Sequence, residues 1–161
     1  MSRIITAALM TAGVILACPP SVPAITQQPP QAGPPKISAC SLVPKEQVKQ
    51  HLPWIPALDR MAVEEEAIGK YGSSCNYPSV FIQVLPFSQG TIDSARKNGG
   101  LEPIREVGDE AYFHNNRNRY AELYVKVGTH LLTLQANVDG KIESVKPGVL
   151  NLGKVLADKL R

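Results

Sequence analysis

Between Tyr120 and Val138 the chain alternates apolar and polar residues on either side of a Gly128-Thr129 pair. Ala121, Leu123, Val125 and Val127 mark one arm; Leu132, Leu134, Ala136 and Val138 mark the other. Strand side chains point to opposite faces with period two, so each arm reads as a strand with one apolar face. A two-residue turn pairs Val125 with Leu132, Leu123 with Leu134 and Ala121 with Ala136. A slip of one residue would carry one apolar set to the wrong face, so burial fixes the register. The other face receives Glu122 by Gln135, Tyr124 by Thr133 and Lys126 by Leu131, and is expected to meet solvent or a partner.

A hairpin with one apolar side needs a cover, and the C-terminal segment supplies it. From about Pro147 to Leu160, Val149, Leu152, Leu156 and Leu160 recur at helical spacing. Ser79 to Leu85 reads as a buried strand ended by Pro86. Pro44 to Leu52 reads as a short helix stopped by Pro53. A second helix is expected over Ile92 to Asn98, ended by Gly99-Gly100. Leu101 to Val107 and Ala111 to His114 are expected strands around a Gly108-Asp109 turn. Ala57 to Lys70 fits both helix and strand periods and stays open. Together these predict an α+β fold: an antiparallel sheet with helices packed on its apolar face, an α/β sandwich.

The N-terminus has a different character. A basic start at Arg3 followed by an apolar run from Ile4 to Ala17 matches an export signal, and the run is too short to span a bilayer. Two cleavage sites fit. Ile15-Leu16-Ala17-Cys18 resembles a lipobox, which would make Cys18 the lipidated N-terminal residue; Val22-Pro23-Ala24 fits an ordinary signal peptidase. Residues 1–24 are therefore expected to be a signal peptide, cut before Cys18 in the lipoprotein alternative. Pro19 to Lys36 holds seven of the fourteen prolines. It cannot bury a core, and residues 25–36 are expected to be an extended Pro/Gln-rich linker to a single domain over 37–161.

Cys18 is lipidated or discarded, so the mature domain keeps only Cys40 and Cys75. An even pair in an oxidising compartment predicts a disulfide, joining the start of the first helix to the entrance of the Ser79 strand. At 43% hydrophobic and 19% charged the chain has the composition of one globular domain. The formal charge of +3 falls only to +2 when Arg3 leaves with the signal, too small an excess to predict binding to nucleic acid or to a membrane surface.

His51, His114 and His130 fall on separate elements without metal-ligand spacing, and no phosphate-loop, nucleophile-elbow or zinc-protease motif occurs. No catalytic residue, metal or cofactor is expected. His130 reads as edge packing, Glu64-Glu65-Glu66 as a solvated acidic face, and Trp54 as a cap on one end of the core. The richest surface is the polar loop His114 to Tyr120. Asn115, Asn116, Arg117, Arg119 and Tyr120, with Tyr124 outward beside them, form a candidate binding set for an anionic glycan, a lipid headgroup or a protein, set against an ordinary solvated turn.

Cys40-Ser41-Leu42-Val43 leading into Glu46-Gln47-Val48, a second cysteine before a hydrophobic strand, and Val107-Gly108-Asp109-Glu110-Ala111-Tyr112 before a Gly-turn hairpin make a further pattern. Over most of residues 40 to 138 the chain resembles small actinobacterial-type envelope lipoproteins of the DUF3558 group. That resemblance implies a signal or lipobox, a disulfide, and a compact fold similar to the PsbP and Mog1 class, with no catalytic residues. The expected function is that of an exported, non-catalytic domain of the periplasm or cell envelope. It would bind a protein partner or a small apolar ligand, and touch membrane only through a lipid anchor. The alternatives are a small secreted hydrolase and an inhibitor or immunity-type protein.

Overall fold

The structure is a computed structural model, and it describes residues 37–55, 62–117, 119–138 and 140–161. The expected signal, Cys18 and the Pro/Gln-rich linker lie outside the described residues. Seven strands form one antiparallel sheet: β1 (Glu64–Ile68), β2 (Gly72–Tyr77), β3 (Val80–Pro86), β4 (Glu102–Ile104), β5 (Glu110–Asn116), β6 (Tyr120–Val127) and β7 (His130–Asn137). Their spatial order is β1-β2-β3-β7-β6-β5-β4, so two meanders meet at β3 and β7. Four helices accompany them among the described residues: α1 (Ala39–Leu42), α2 (Lys45–His51), α3 (Gln89–Gly99) and α4 (Ile142–Leu160). The fold is α+β, as the alternation and the helical stripe predict.

The hairpin register agrees residue for residue: Val125 pairs with Leu132, Leu123 with Leu134 and Ala121 with Ala136. These six side chains are fully buried, and β3 extends the same face with Ile82 against Leu134 and Val84 against Leu132. Val149, Leu152 and Leu156 of α4 and Val48 and Leu52 at α2 complete the core. Each such side chain contributes roughly 1.5–3 kcal/mol on burial. Helix and sheet approach so closely that a methyl group at Gly153 would collide with Leu123, and one at Gly148 with the Trp54 ring. Trp54 packs partly buried against the core, as expected of a cap.

Cys40 and Cys75 form the disulfide, their Cα atoms 4.9 Å apart. Its setting differs from the expectation in two ways. Cys40 lies on the separate one-turn helix α1, capped by Ser38, which accepts from the Ser41 amide. Cys75 lies inside β2, a strand of its own that precedes β3 through a turn at Ser79. The Gly72-Ser-Ser-Cys-Asn-Tyr77 segment has little apolar content, so alternation alone does not mark it as a strand. Its inward residues hold the N-terminal segment instead of filling the core. Ser73 Oγ accepts from the Ala39 amide at 2.7 Å and donates to the Ile37 carbonyl at 2.6 Å, and Tyr77 donates to the Val43 carbonyl.

Other boundaries move for physical reasons. Of the open stretch Ala57 to Lys70, β1 takes 64–68, while 57–61 lie outside the described residues. Leu101 to Val107 shrinks to the three residues of β4 at the sheet edge. Helix α4 starts at Ile142, not Pro147, because buried Ile142 and Val145 continue the apolar stripe backwards and Pro147 is accommodated inside the helix.

The second face of the sheet, expected to meet solvent, is partly covered by a helix. Between β3 and β4 the chain must travel from the middle of the sheet to its far edge, and α3 makes that crossing. Arg96 lies over the Tyr112 ring at 5.5 Å and Gly99 abuts the His114 imidazole. Tyr112 and His114 have the parity opposite to the core residues Ala111 and Phe113. The helix therefore covers the β5–β6 part of the face expected to meet solvent, and Ile92 and Ala95 of α3 are buried apart from the main core, as is Leu131 of β7.

Candidate functional site

Under α3 lies a closed polar network. Glu122 on β6 is only 9% exposed, and its neighbour across the ladder, His114 on β5, is 6% exposed. The His114 Nδ1 is 3.0 Å from Glu122 Oε2, Tyr124 donates to the same oxygen at 3.0 Å, and Asn116 Nδ2 donates to Oε1 at 3.3 Å. Period two explains the assembly: residues 114 and 116 on β5 and 122 and 124 on β6 share one face. A buried carboxylate is tolerable only when its lone pairs are satisfied, and here three donors do so. Burial, the Glu122 charge and their hydrogen bond push the Tyr124 phenol well above the ordinary tyrosine range. Catalytic triads put an imidazole between hydroxyl and carboxylate; here the carboxylate is the hub for both, so the imidazole does not receive a hydroxyl proton in this cluster.

Beyond Glu122, where α3 no longer covers the sheet, a hollow of about 280 Å³ opens across β2, β3, β7 and β6. Ladder pairs place Asn76 beside Phe81, Phe81 beside Gln135, and Tyr120 beside Asn137, all on the uncovered face. The β2–β3 turn brings in Ser79, whose carbonyl accepts from the Asn137 amide at 2.8 Å. The hollow is lined by amide, hydroxyl and aromatic residues together with Val80, and no charged residue is among its described lining. Asn76, Gln135 and Asn137 make no side-chain hydrogen bond among the described residues, in contrast to the network around Glu122.

The six residues of the candidate binding set are distributed over different surfaces. Asn116 and Tyr124 belong to the closed network, with Tyr124 half-buried and not outward in solvent. Tyr120 lines the open hollow. Asn115, of the opposite parity, lines a groove of about 300 Å³ between β5 and α4, where Lys146 lies over Phe113 and pairs with Glu102 at 2.6 Å. Arg117 and Arg119 flank a tight turn, with Arg117 at φ +52° and both amides bonded back to Asn115 and Asn116 carbonyls. Glu64, Glu65 and Glu66 are exposed on the edge strand β1. His51 and His130 stand apart from His114, on α2 and at the start of β7.

Sequence reading missed His114 with Glu122, and Asn76 with Phe81 and Gln135. The β5–β6 pairing that joins the first pair follows from the tight turn at 117–119, a signal present in the Asn-rich loop. The second set requires the β3–β7 pairing, which sets Gln135 beside Phe81 although the two are more than fifty positions apart in the chain. Among the described residues no cluster of three metal-ligating side chains occurs and no helix is long and apolar enough to cross a membrane. The described residues thus form an antiparallel α+β domain with a buried polar network around Glu122 and, among its surface hollows, an uncharged polar one across β2, β3, β7 and β6. No family model, curated protein or solved structure matches the chain.

Proposed function

We propose that this chain is an exported domain of the bacterial cell envelope that binds a hydrophilic ligand and does not transform it. The observation that carries this reading is the division of its polar groups. The imidazole, carboxylate and phenol able to do chemistry are committed to one another beneath α3, whereas the amides of the open hollow make no side-chain hydrogen bond among the described residues. The disulfide fits an oxidising compartment, and the apolar N-terminal run and the resemblance to DUF3558-type lipoproteins support export. The polar lining favours a hydrophilic ligand over the apolar one expected from sequence.

The test combines intact mass with fractionation. Processed protein should be recovered from the envelope fraction with a mass two hydrogens below the reduced form and an N-terminus at Cys18 or Ile25. Unprocessed protein confined to the cytosolic fraction would refute the proposal. One observation favours a second reading, a small hydrolase: the proximity of His114, Glu122 and Tyr124. It requires that Glu122→Gln abolish hydrolysis of ester or peptide substrates by the purified chain, and an absence of turnover in the parent protein removes it.

A further inference from the structure

We infer that the open hollow is a subsite for an uncharged pyranose sugar, held by Asn76, Gln135 and Asn137 and stacked on Phe81 or Tyr120. This rests on the proposed envelope-binding role and names the ligand class for that surface. A pyranose presents vicinal hydroxyls, each donor and acceptor, around a ring with apolar C–H faces. A carboxamide offers a donor and an acceptor side by side, matching such a hydroxyl pair. An aromatic ring supplies a flat apolar surface with a polarised face for the C–H groups. The hollow brings three carboxamides, a phenol, a phenyl ring and the Ser79 hydroxyl together in about 280 Å³, enough for one sugar ring.

Two features select this class. Among the described residues the three carboxamides have no side-chain partner, so a ligand need not break an internal bond to use them. Among the described residues no charged side chain lines the hollow, so none of them offers a phosphate or carboxylate a counter-charge or an ammonium an anion there. The arginines of the neighbouring turn, Arg117 and Arg119, are not among its lining residues. The ladder holds Asn76, Phe81 and Gln135 in one row on adjacent strands, so the site is pre-formed on rigid elements.

The processed chain, labelled with nitrogen-15, would be titrated with methyl α-mannopyranoside, methyl β-glucopyranoside and methyl N-acetyl-β-glucosaminide, with glucuronate and inorganic phosphate as anionic controls. At least one neutral glycoside should shift the side-chain amides of Asn76, Gln135 and Asn137, with Kd on the order of 1 mM for a single ring in an open site. Gln135→Ala and Asn137→Ala change partly or fully exposed positions, and each should weaken binding about tenfold while leaving the rest of the spectrum in place. Tyr120→Phe provides a variant that keeps the ring and removes only the hydroxyl. Sedimentation with isolated, protein-free wall polysaccharide separates the sources: co-sedimentation lost in Gln135→Ala assigns the sugar to the wall, and glycoside binding without it assigns a free sugar.

No shift with any neutral glycoside, tighter binding of the anions, or binding unchanged in all three variants overturns the inference. Those results would leave the envelope role standing if the processed chain is still recovered from the envelope. An unprocessed cytosolic chain would refute that role whatever the titration shows.

Discussion

Glu122 receives an imidazole, a phenol and a carboxamide while almost wholly withdrawn from water. Glu122→Ala would leave three donors without their acceptor, and such orphaning costs about 2–4 kcal/mol in total. Its melting temperature should fall by on the order of 10 °C. Thr133→Ala, on the neighbouring strand, should move it little; equal effects in the two variants would refute the satisfied-network account. Tyr124 carries a pH dependence of known sign. Burial first, then the Glu122 charge, raise its folded pKa above the unfolded value, so its contribution is intact below about pH 10 and is lost as pH rises further. Tyr77, raised by burial and then by Glu46, acts in the same direction. In Tyr124→Phe the fall of melting temperature between pH 10 and the strongly alkaline range should be shallower than in the parent, as read by circular dichroism; an unchanged slope would place the alkaline loss elsewhere.

Strand β2 acts as a clasp. Ser73, Cys75 and Tyr77 share its inward face and hold Ile37 and Ala39, Cys40, and Val43 in turn. The disulfide closes a loop across a separation of 35 residues, which restricts the unfolded chain by about 3–4 kcal/mol in the chain-entropy description. Cys40→Ser with Cys75→Ser should therefore lower the melting temperature by on the order of 10 °C. The far-ultraviolet spectrum should persist, because the two hydroxyl contacts still hold the segment; loss of all secondary structure would show that the disulfide alone holds it. The α4–β6 contact makes the opposite kind of demand. Gly153→Val inserts three carbons where one already collides with Leu123, so it should destabilise by about 1–3 kcal/mol or more through overpacking. Chemical denaturation measures this directly, and a midpoint equal to the parent's would mean that α4 shifts without cost.

At the scale of the whole sheet, α3 packs over the part of one face that holds the Glu122 network, and the hollow across β2, β3, β7 and β6 lies on the rest of that face. Because no charged side chain among the described residues lines the hollow, neutral-sugar affinity should change by less than about twofold between 50 and 500 mM salt. A steep salt dependence would point instead to the exposed Arg119 or the acidic strand β1. Elements governed by a local period were legible in the residues. The hairpin register, the α+β class, the cysteine pair and the α4 stripe each follow from alternation, helical spacing or residue counting within a few turns of chain. Strand β2 was not legible, because its inward positions are spent on serine, cysteine and tyrosine and leave no apolar rhythm. Nor was the cover given by α3, since an amphipathic helix does not say which face of which sheet it will meet. The candidate loop shows the same boundary: Asn115, Asn116 and Tyr120 stand within six residues, yet strand parity and tertiary neighbours send them to a groove, a buried network and an open hollow. Periodicity is a property of neighbours along the chain, whereas a site gathers residues through pairings such as β3 with β7, whose partners only the packed sheet selects.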